Sequence, residues 1–206
     1  MHVHSHFSDG FGSPKQIVDQ AKKIGLAGIA ITDHDSVKGG IKALEYATKD
    51  FQVITGVEIS SREGHILGLD ISDVPGDYLP AKEVVNFIHD RGGLAVAAHP
   101  YDRIRSGIGD LILELDFDAV EILNGHTLLN TRNPAEVCSS HGLVMVGGSD
   151  AHSPYEVGNI SVRTGEKDIL KAISSGKVEI LSKGKVQILS GFLKSGIVKN
   201  YFRPQS

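Results

Sequence analysis

Cysteine is almost missing from this chain. Cys138 is the only one in 206 residues, which excludes an intramolecular disulfide and a thiolate-rich zinc site and fits a reducing compartment. No apolar run approaches the ~20 residues that span a bilayer. The N-terminus turns polar within two residues, so no signal peptide is expected, and the expected location is cytoplasmic. There is no Lys/Arg block: 21 basic residues face 25 acidic ones, for a formal charge of −4, which argues against a basic-groove nucleic-acid binder. Aromatic stacking clusters are lacking too, which disfavours a processive nuclease. No glycine-rich phosphate loop follows the first strand-like segment, so an open dinucleotide-binding sheet is disfavoured. Internal repeats, low-complexity stretches and linkers are absent.

What remains is an ordinary globular composition, 40% hydrophobic and 22% charged, long enough to bury a sizeable core. Apolar runs rich in Ile and Val alternate with helical patterns. "MHVH" reads as a short strand. A helix starts at Ser13-Pro14 and ends at Gly25, with Ile17, Ala21 and Ile24 as its apolar stripe. "LAGIAIT" reads as a buried strand. A helix from Ser36 follows, with Val37, Ile41 and Leu44 on one side. "FQVITGVEIS" and "HILGLDI" are strands, "AKEVVNFIHDRGG" a helix, and "LAVAAHP" and "FDAVEILNG" strands. A helix opens at Asn133-Pro134 and closes at Gly142, before strand "LVMVGGSDAH". A helix around 166–175, a strand "KVEILS" and a helical tail near 187–201 complete the chain. This alternation predicts an α/β fold, and a strand count near seven favours a barrel. The expected organisation is one domain, with a barrel over residues 1–160 and an extension over 161–206 packed on it.

The polar residues occupy telling positions. His2, His4 and His6 alternate, which in an extended strand places all three on one face. His34 follows a strand in "TDHD". Glu58 lies at a strand end in "GVEIS", His99 in "AAHP", and Asp150 and His152 in "GGSDAH". Barrel active sites form at the carboxyl ends of strands, so these residues converge on one face. His65 begins its strand, but only six residues separate it from Glu58, too few for a parallel crossover. A hairpin-like turn through Arg62-Glu63-Gly64 therefore keeps both at the same end. His89 and His141 read as helix C-terminal residues, and His126 as a surface histidine. Imidazole with carboxylate and no thiolate suits Zn, Mn, Fe or similar divalent ions. Eight or nine such groups exceed one ion's shell and imply two or three.

Taken in order, "HVHSHFSDG", "TDHD", "GVEIS", "HILGL", "AAHP" and "GGSDAH" resemble the PHP family, named for polymerase and histidinol phosphatase, over about residues 1–155. The resemblance implies a distorted (β/α)7 TIM-like barrel that holds up to three divalent metals and hydrolyses phosphoesters. Carried onto this chain, it implies a first metal held by His2, His4, Glu58 and Asp150. A second would be held by Glu58, His65 and His99, with Glu58 as the bridge. A third would be held by Asp9, His34 and His152. Family members usually carry a few residues before the first histidine, whereas here only Met1 precedes His2.

The expected activity is hydrolysis of a small phosphate monoester, a nucleotide or a short oligonucleotide end by a hydroxide bridging two metals. Glu58, Asp150 and His152 are the expected catalytic residues, with Asp150 or His152 relaying a proton to the leaving group. Arg103, Arg105 and Lys38 are candidate phosphate-binding cations. Asn124 is a candidate substrate contact or a brace behind the ligands. Two other readings stand beside this one: metal-dependent hydrolysis of a C–N or C–O bond, and a non-catalytic metal-binding barrel. No membrane partner and no stable nucleic-acid complex are expected.

Overall fold

The computed structural model describes residues 1–76, 78–127 and 129–183. Its centre is a six-stranded mixed sheet that curls into a half-barrel. In chain order the strands are β1 (Gly28–Ile31), β2 (Gln52–Ser60), β3 (His65–Leu69), β4 (Leu94–Ala97), β5 (Ala119–Asn124) and β6 (Met145–Gly148). Each pairs with its neighbour in sequence. β1–β2, β4–β5 and β5–β6 are parallel, whereas β2–β3 and β3–β4 are antiparallel. A two-residue-wide turn closed by Ser61 N donating to Gly64 O (3.1 Å) joins β2 to β3, the local turn expected between Glu58 and His65. The regular seven-fold repeat of the expected barrel is not seen among the described residues. Instead a hairpin replaces one helical crossover, and β7 (Ile160–Arg163) pairs antiparallel with β8 (Glu179–Ser182) in a separate small sheet.

The expected first strand is a single bridge, from Val3 to Ala151. Val3 O accepts from Thr32 N (2.8 Å), His4 N donates to Ala151 O (2.8 Å), and Ser149 N donates to Met1 O (3.1 Å). The N-terminal segment is thus stitched to the chain beyond β1 on one side and beyond β6 on the other. His2 has φ 61, so the segment is not an extended strand. The histidine alternation breaks as well. Asp33 captures Ser5 through its N (2.6 Å) and Oγ (2.8 Å), the chain turns, and His6 is exposed against Phe7.

Helix α1 (Pro14–Lys23) starts where expected, with Gln16 N donating to Ser13 Oγ and Ser13 N to Gln16 Oε1 (2.9 Å). It buries Ile17, Val18 and Ala21, while Ile24 keeps 36% of its surface exposed. At α2 (Lys38–Ala43) the expected apolar side holds only for Val37, which is buried: Ile41 and Leu44 are exposed, and Gly39, Gly40 and Ala43 face inward. The helix lies too close to β2 for large side chains, since a Cβ on Gly40 would stand 3.1 Å from Thr55 Cα. α3 (Ala81–His89) covers the outer face of β2–β4, packing Val84, Val85 and Ile88 on Val57, Ile59 and Ile66. α4 (Pro134–His141) runs between β5 and β6 and ends at Gly142. α5 (Ile169–Ser174) seats Ile173 inside the curl with Ala30, Ile54, Leu67, Val96 and Val146. The period-two alternation of the strands decides these sides: Ala30 and Ile54 point into the curl, while Ile29, Ile31 and Val53 pack on α1. The expected tail helix near 187–201 lies outside the described residues. No helix among the described residues is long and apolar enough to cross a membrane.

Candidate metal centre

The sheet delivers its chemistry at one end. His34 follows β1, His99 follows β4, and Asp150 and His152 follow β6. Glu58 sits in β2, bridged to His34, and His65 starts β3. The stitched N-terminus adds His2 and His4 between them. His2, His4, Glu58 and Asp150 are fully buried, His99 is nearly so, and Asp9 is exposed on the far side of the turn.

Glu58 lies at the middle of the cluster. Its Oε2 is 3.0 Å from His2 Nε2 and 3.2 Å from His4 Nε2. Its Oε1 is 2.9 Å from His65 Nδ1 and 3.1 Å from His99 Nε2. Asp150 Oδ1 is 3.4 Å from His2 Nε2 and 3.2 Å from His4 Nε2. Asp9 Oδ2 is 3.2 Å from His152 Nε2 and 3.7 Å from His34 Nε2. Three groups have donor atoms all within 4.8 Å of one another: His2, His4, Glu58 and Asp150; His34, Glu58 and His65; and His4, Asp9, His34 and His152. Donors around a tetrahedral ion with bonds of about 2.0–2.1 Å stand about 3.3 Å apart. The nitrogen-to-oxygen edges around Glu58 and Asp150 have that size, so this donor set fits divalent cations in both spacing and ligand type.

Without cations, protons hold the charges together. Burial disfavours every ionised group here. Around His2, however, Asp150, Glu121 and Glu58 outweigh burial and raise its pKa well above the usual value. Burial lowers and Asp150 and Glu58 raise the His4 pKa, to about 9. Glu58 and Asp150 are in turn held well below the usual carboxylate range, against burial, by His2 and His4, with Arg105 adding to the effect on Asp150. Asp9 is lowered, against partial burial, mainly by His152. Burial lowers the His34 pKa, where the positive charge of His4 opposes protonation and Glu58 favours it.

The backbone is strained at three of these residues, with φ of 61° at His2, 30° at His99 and 49° at Asp150. Such values cost about 1–3 kcal/mol each outside glycine and concentrate at functional sites. Buried carboxylates fix the frame. Asp33 holds Ser5 and accepts from Ser8 Oγ (2.9 Å), which positions the turn leading to Asp9. Glu156 accepts from the backbone N of His152 (2.8 Å) and of Ser153 (3.0 Å). Glu121 lies 3.0 Å from His2 Nδ1. None of these three stood out in the sequence. The Ser153-Pro-Tyr-Glu156 spacing of a helix-start motif was the available signal for Glu156.

Of the candidate cations, Arg105 reaches the cluster and pairs with Asp150 Oδ2. Arg103 and Lys38 are exposed and form no ion pair among the described residues. Asn124 is buried and engaged at both ends. Its Nδ2 donates to Glu121 Oε2 (2.8 Å), and its Oδ1 accepts from His126 N and Thr127 N. His126, set aside as a surface residue in the sequence, has its ring 4.9 Å from that of His152 and its Nε2 3.5 Å from Glu156. His89 pairs with Asp118 at the end of α3, and His141 Nδ1 lies 2.9 Å from Val137 O at the end of α4. An apolar cavity of about 400 Å³, lined by Ile29, Ile54, Leu69 and Ile160 among others, contains none of the clustered groups.

The chain is similar in sequence and in fold to known proteins. A family model described as PHP domain matches residues 1–180. An uncharacterized protein of Methanocaldococcus jannaschii is 36% identical over 140 residues, 61% of this chain and 81% of that protein. A phosphoribosyl 1,2-cyclic phosphate 1,2-diphosphodiesterase of Eggerthella lenta is 23% identical over 75% of this chain and 94% of its own length. Among solved structures, a two-domain protein of Bacteroides vulgatus, described as containing a predicted PHP-like metal-dependent phosphoesterase, shares the fold. Its TM-score is 0.72 at 23% identity, over 94% of this chain and 68% of that one.

Proposed function

This chain belongs to the PHP domain family, and we propose that it is a metal-dependent phosphoesterase acting on a small phosphate monoester, a nucleotide or a short oligonucleotide end. The observation that carries the reading is the division of Glu58, with one oxygen facing His2 and His4 and the other facing His65 and His99. One carboxylate thereby joins two ligand sets. His2, His4, Glu58 and Asp150 would hold one cation, Glu58, His65 and His99 a second, and Asp9, His34 and His152 a third. Zn, Mn and Fe all suit these donors. Bound divalent ions supply Lewis-acid polarisation of phosphoryl oxygens and lower the pKa of water to roughly 7. The family's full (β/α)7 barrel would count the Met1–Ser5 segment as its seventh strand. Residues 1–160 would carry the site and the chain beyond would support it; Ile173 packing inside the curl with Ala30, Ile54 and Val146 supports this division.

The chain's own groups divide the remaining work. Arg105 stands beside Asp150 with a fixed positive charge and a forked donor set suited to phosphate oxygens. Asp150 or His152 would relay to the leaving oxygen the proton that the attacking water gives up. Burial of Glu58, His2 and His4 excludes bulk water from the floor of the site, which strengthens every charge interaction there.

The test is a phosphate-release screen with added Mn or Zn across nucleotides, sugar phosphates and short oligonucleotides, beside amides and lactones. Turnover is expected on phosphate esters and not on the others. Arg105→Ala is expected to raise KM at least about ten-fold, the loss of a charge-assisted contact of ~1.5–3 kcal/mol, with kcat less affected. Hydrolysis of amides or lactones with no phosphate ester turned over would overturn the assignment.

A further inference from the structure

β5 carries one carboxylate among apolar neighbours, "AVEILN". Glu121 is buried and touches three different groups. Its Oε1 lies 3.0 Å from His2 Nδ1, and its Oε2 accepts from the backbone N–H of His99 (3.0 Å) and from Asn124 Nδ2 (2.8 Å). His2 and His99 belong to two different ligand sets around Glu58, and both have left-handed backbones. A register shift between Glu121 and Leu123 marks a bulge in the pairing of β5 with β6, a device that re-aims side chains beside functional sites. The neighbouring strand makes room for the contact. A Cβ on Gly148 would stand 2.0 Å from Glu121 Oε1 and 2.7 Å from His2 Cβ. Bulge, glycine and Asn124 all serve this one carboxylate.

We infer that Glu121 is a positioning residue that holds the His2 ring and the His99 backbone in register, and so couples the two ligand sets that share Glu58. A ligating imidazole needs its free nitrogen in place for the other. Glu121 accepts a hydrogen bond from His2 Nδ1–H, which turns Nε2 toward Glu58 and Asp150. At His99 the same carboxylate acts on the backbone and fixes where the side chain begins. Glu121 is only 1% exposed, and its role runs through these two histidines. The inference rests on the metal-centre reading and concerns affinity for cations, whatever ester is cleaved.

The experiment is a Co²⁺ titration of chelator-treated protein, read by calorimetry and by the visible absorption of the bound ion. Wild type is compared with Glu121→Gln, which keeps the side-chain volume. The affinity of the variant is expected to fall 10–100-fold, with an altered absorption band that a merely structural role away from the ligands would not produce. Asn124→Ala is measured in parallel and carries the test if the first variant does not fold. It removes one donor to Glu121 and is expected to lose affinity by a few-fold. Unchanged affinity and spectrum in the folded variants would overturn the role of Glu121 alone. A wild-type protein that binds no Co²⁺ would overturn both this inference and the metal-centre reading.

Discussion

Replacing Glu58 with glutamine is expected to reduce phosphoester turnover by roughly 10³-fold or more. The figure follows from the several kcal/mol that a metal centre contributes to charge stabilisation, at a factor of ten per 1.36 kcal/mol. The geometry explains why this residue should matter most. Both of its oxygens lie within about 3 Å of imidazole nitrogens, on opposite sides, and among the described residues no other carboxylate joins these four histidines. Glutamine keeps the shape but offers one neutral oxygen and an amide that cannot bind a cation. The same substitution should lower the stability of the metal-free protein. There Glu58 balances the buried charge on His2 and His4, and removing one partner of a buried charged group costs about 3–5 kcal/mol. Activity and thermal melting of the purified variant check both effects. A variant with activity within ten-fold of wild type would remove Glu58 as the shared ligand.

The pH dependence of stability should change shape when cations are added. In the metal-free protein the His4 pKa is raised to about 9 from an ordinary 6.5. Its stabilisation is therefore fully present below pH 6.5 and lost as pH rises through about 9. By linkage the loss is about 3 kcal/mol, and His2 shifts in the same direction. Glu58 and Asp150 are lowered from ordinary values of 4.5 and 3.8. Their contribution is present above those values and lost as pH falls below them. The metal-free protein should accordingly be most stable between about pH 4.5 and 6.5, and weaken toward pH 9. Cations need neutral imidazole and so compete with protons. The gain in melting temperature on adding Mn²⁺ or Zn²⁺ should therefore grow from pH 6 to 9. Melting curves of chelator-treated protein with and without cations test this. A metal-free curve that is flat or rising between pH 6.5 and 9 would show that His2 and His4 are not held as imidazolium by the carboxylates.

The residues legible in the sequence were those at strand ends. His34, Glu58, His99, Asp150 and His152 interrupt apolar runs where a barrel turns its chain toward the mouth, and short spacing forced His65 back to Glu58. Residues whose role depends on a local irregularity were not legible. Glu121 falls inside β5, where period two puts it on the inner face with Ala119, but nothing in the strand pattern says which histidines it reaches. Asp33 stands next to the candidate ligand His34, yet it is the buried acceptor that ends the N-terminal segment and turns His6 outward. Helix α2 shows the same limit in packing. Val37 is buried as its pattern suggested, but Ile41 and Leu44 are not, because within the helix the closeness of β2 favours glycine and alanine on the inner side. Pattern reading locates side chains by period and polarity. It has no access to the interatomic gaps that decide which of two faces can fit.

Counting bound cations tests the proposed metal centre most directly. Protein purified without chelators and analysed by elemental mass spectrometry should contain two to three divalent ions per chain. Glu58→Gln, prepared in the same way, should contain at least one fewer. A wild-type protein that retains none, even after incubation with Mn²⁺ or Zn²⁺, would contradict the account.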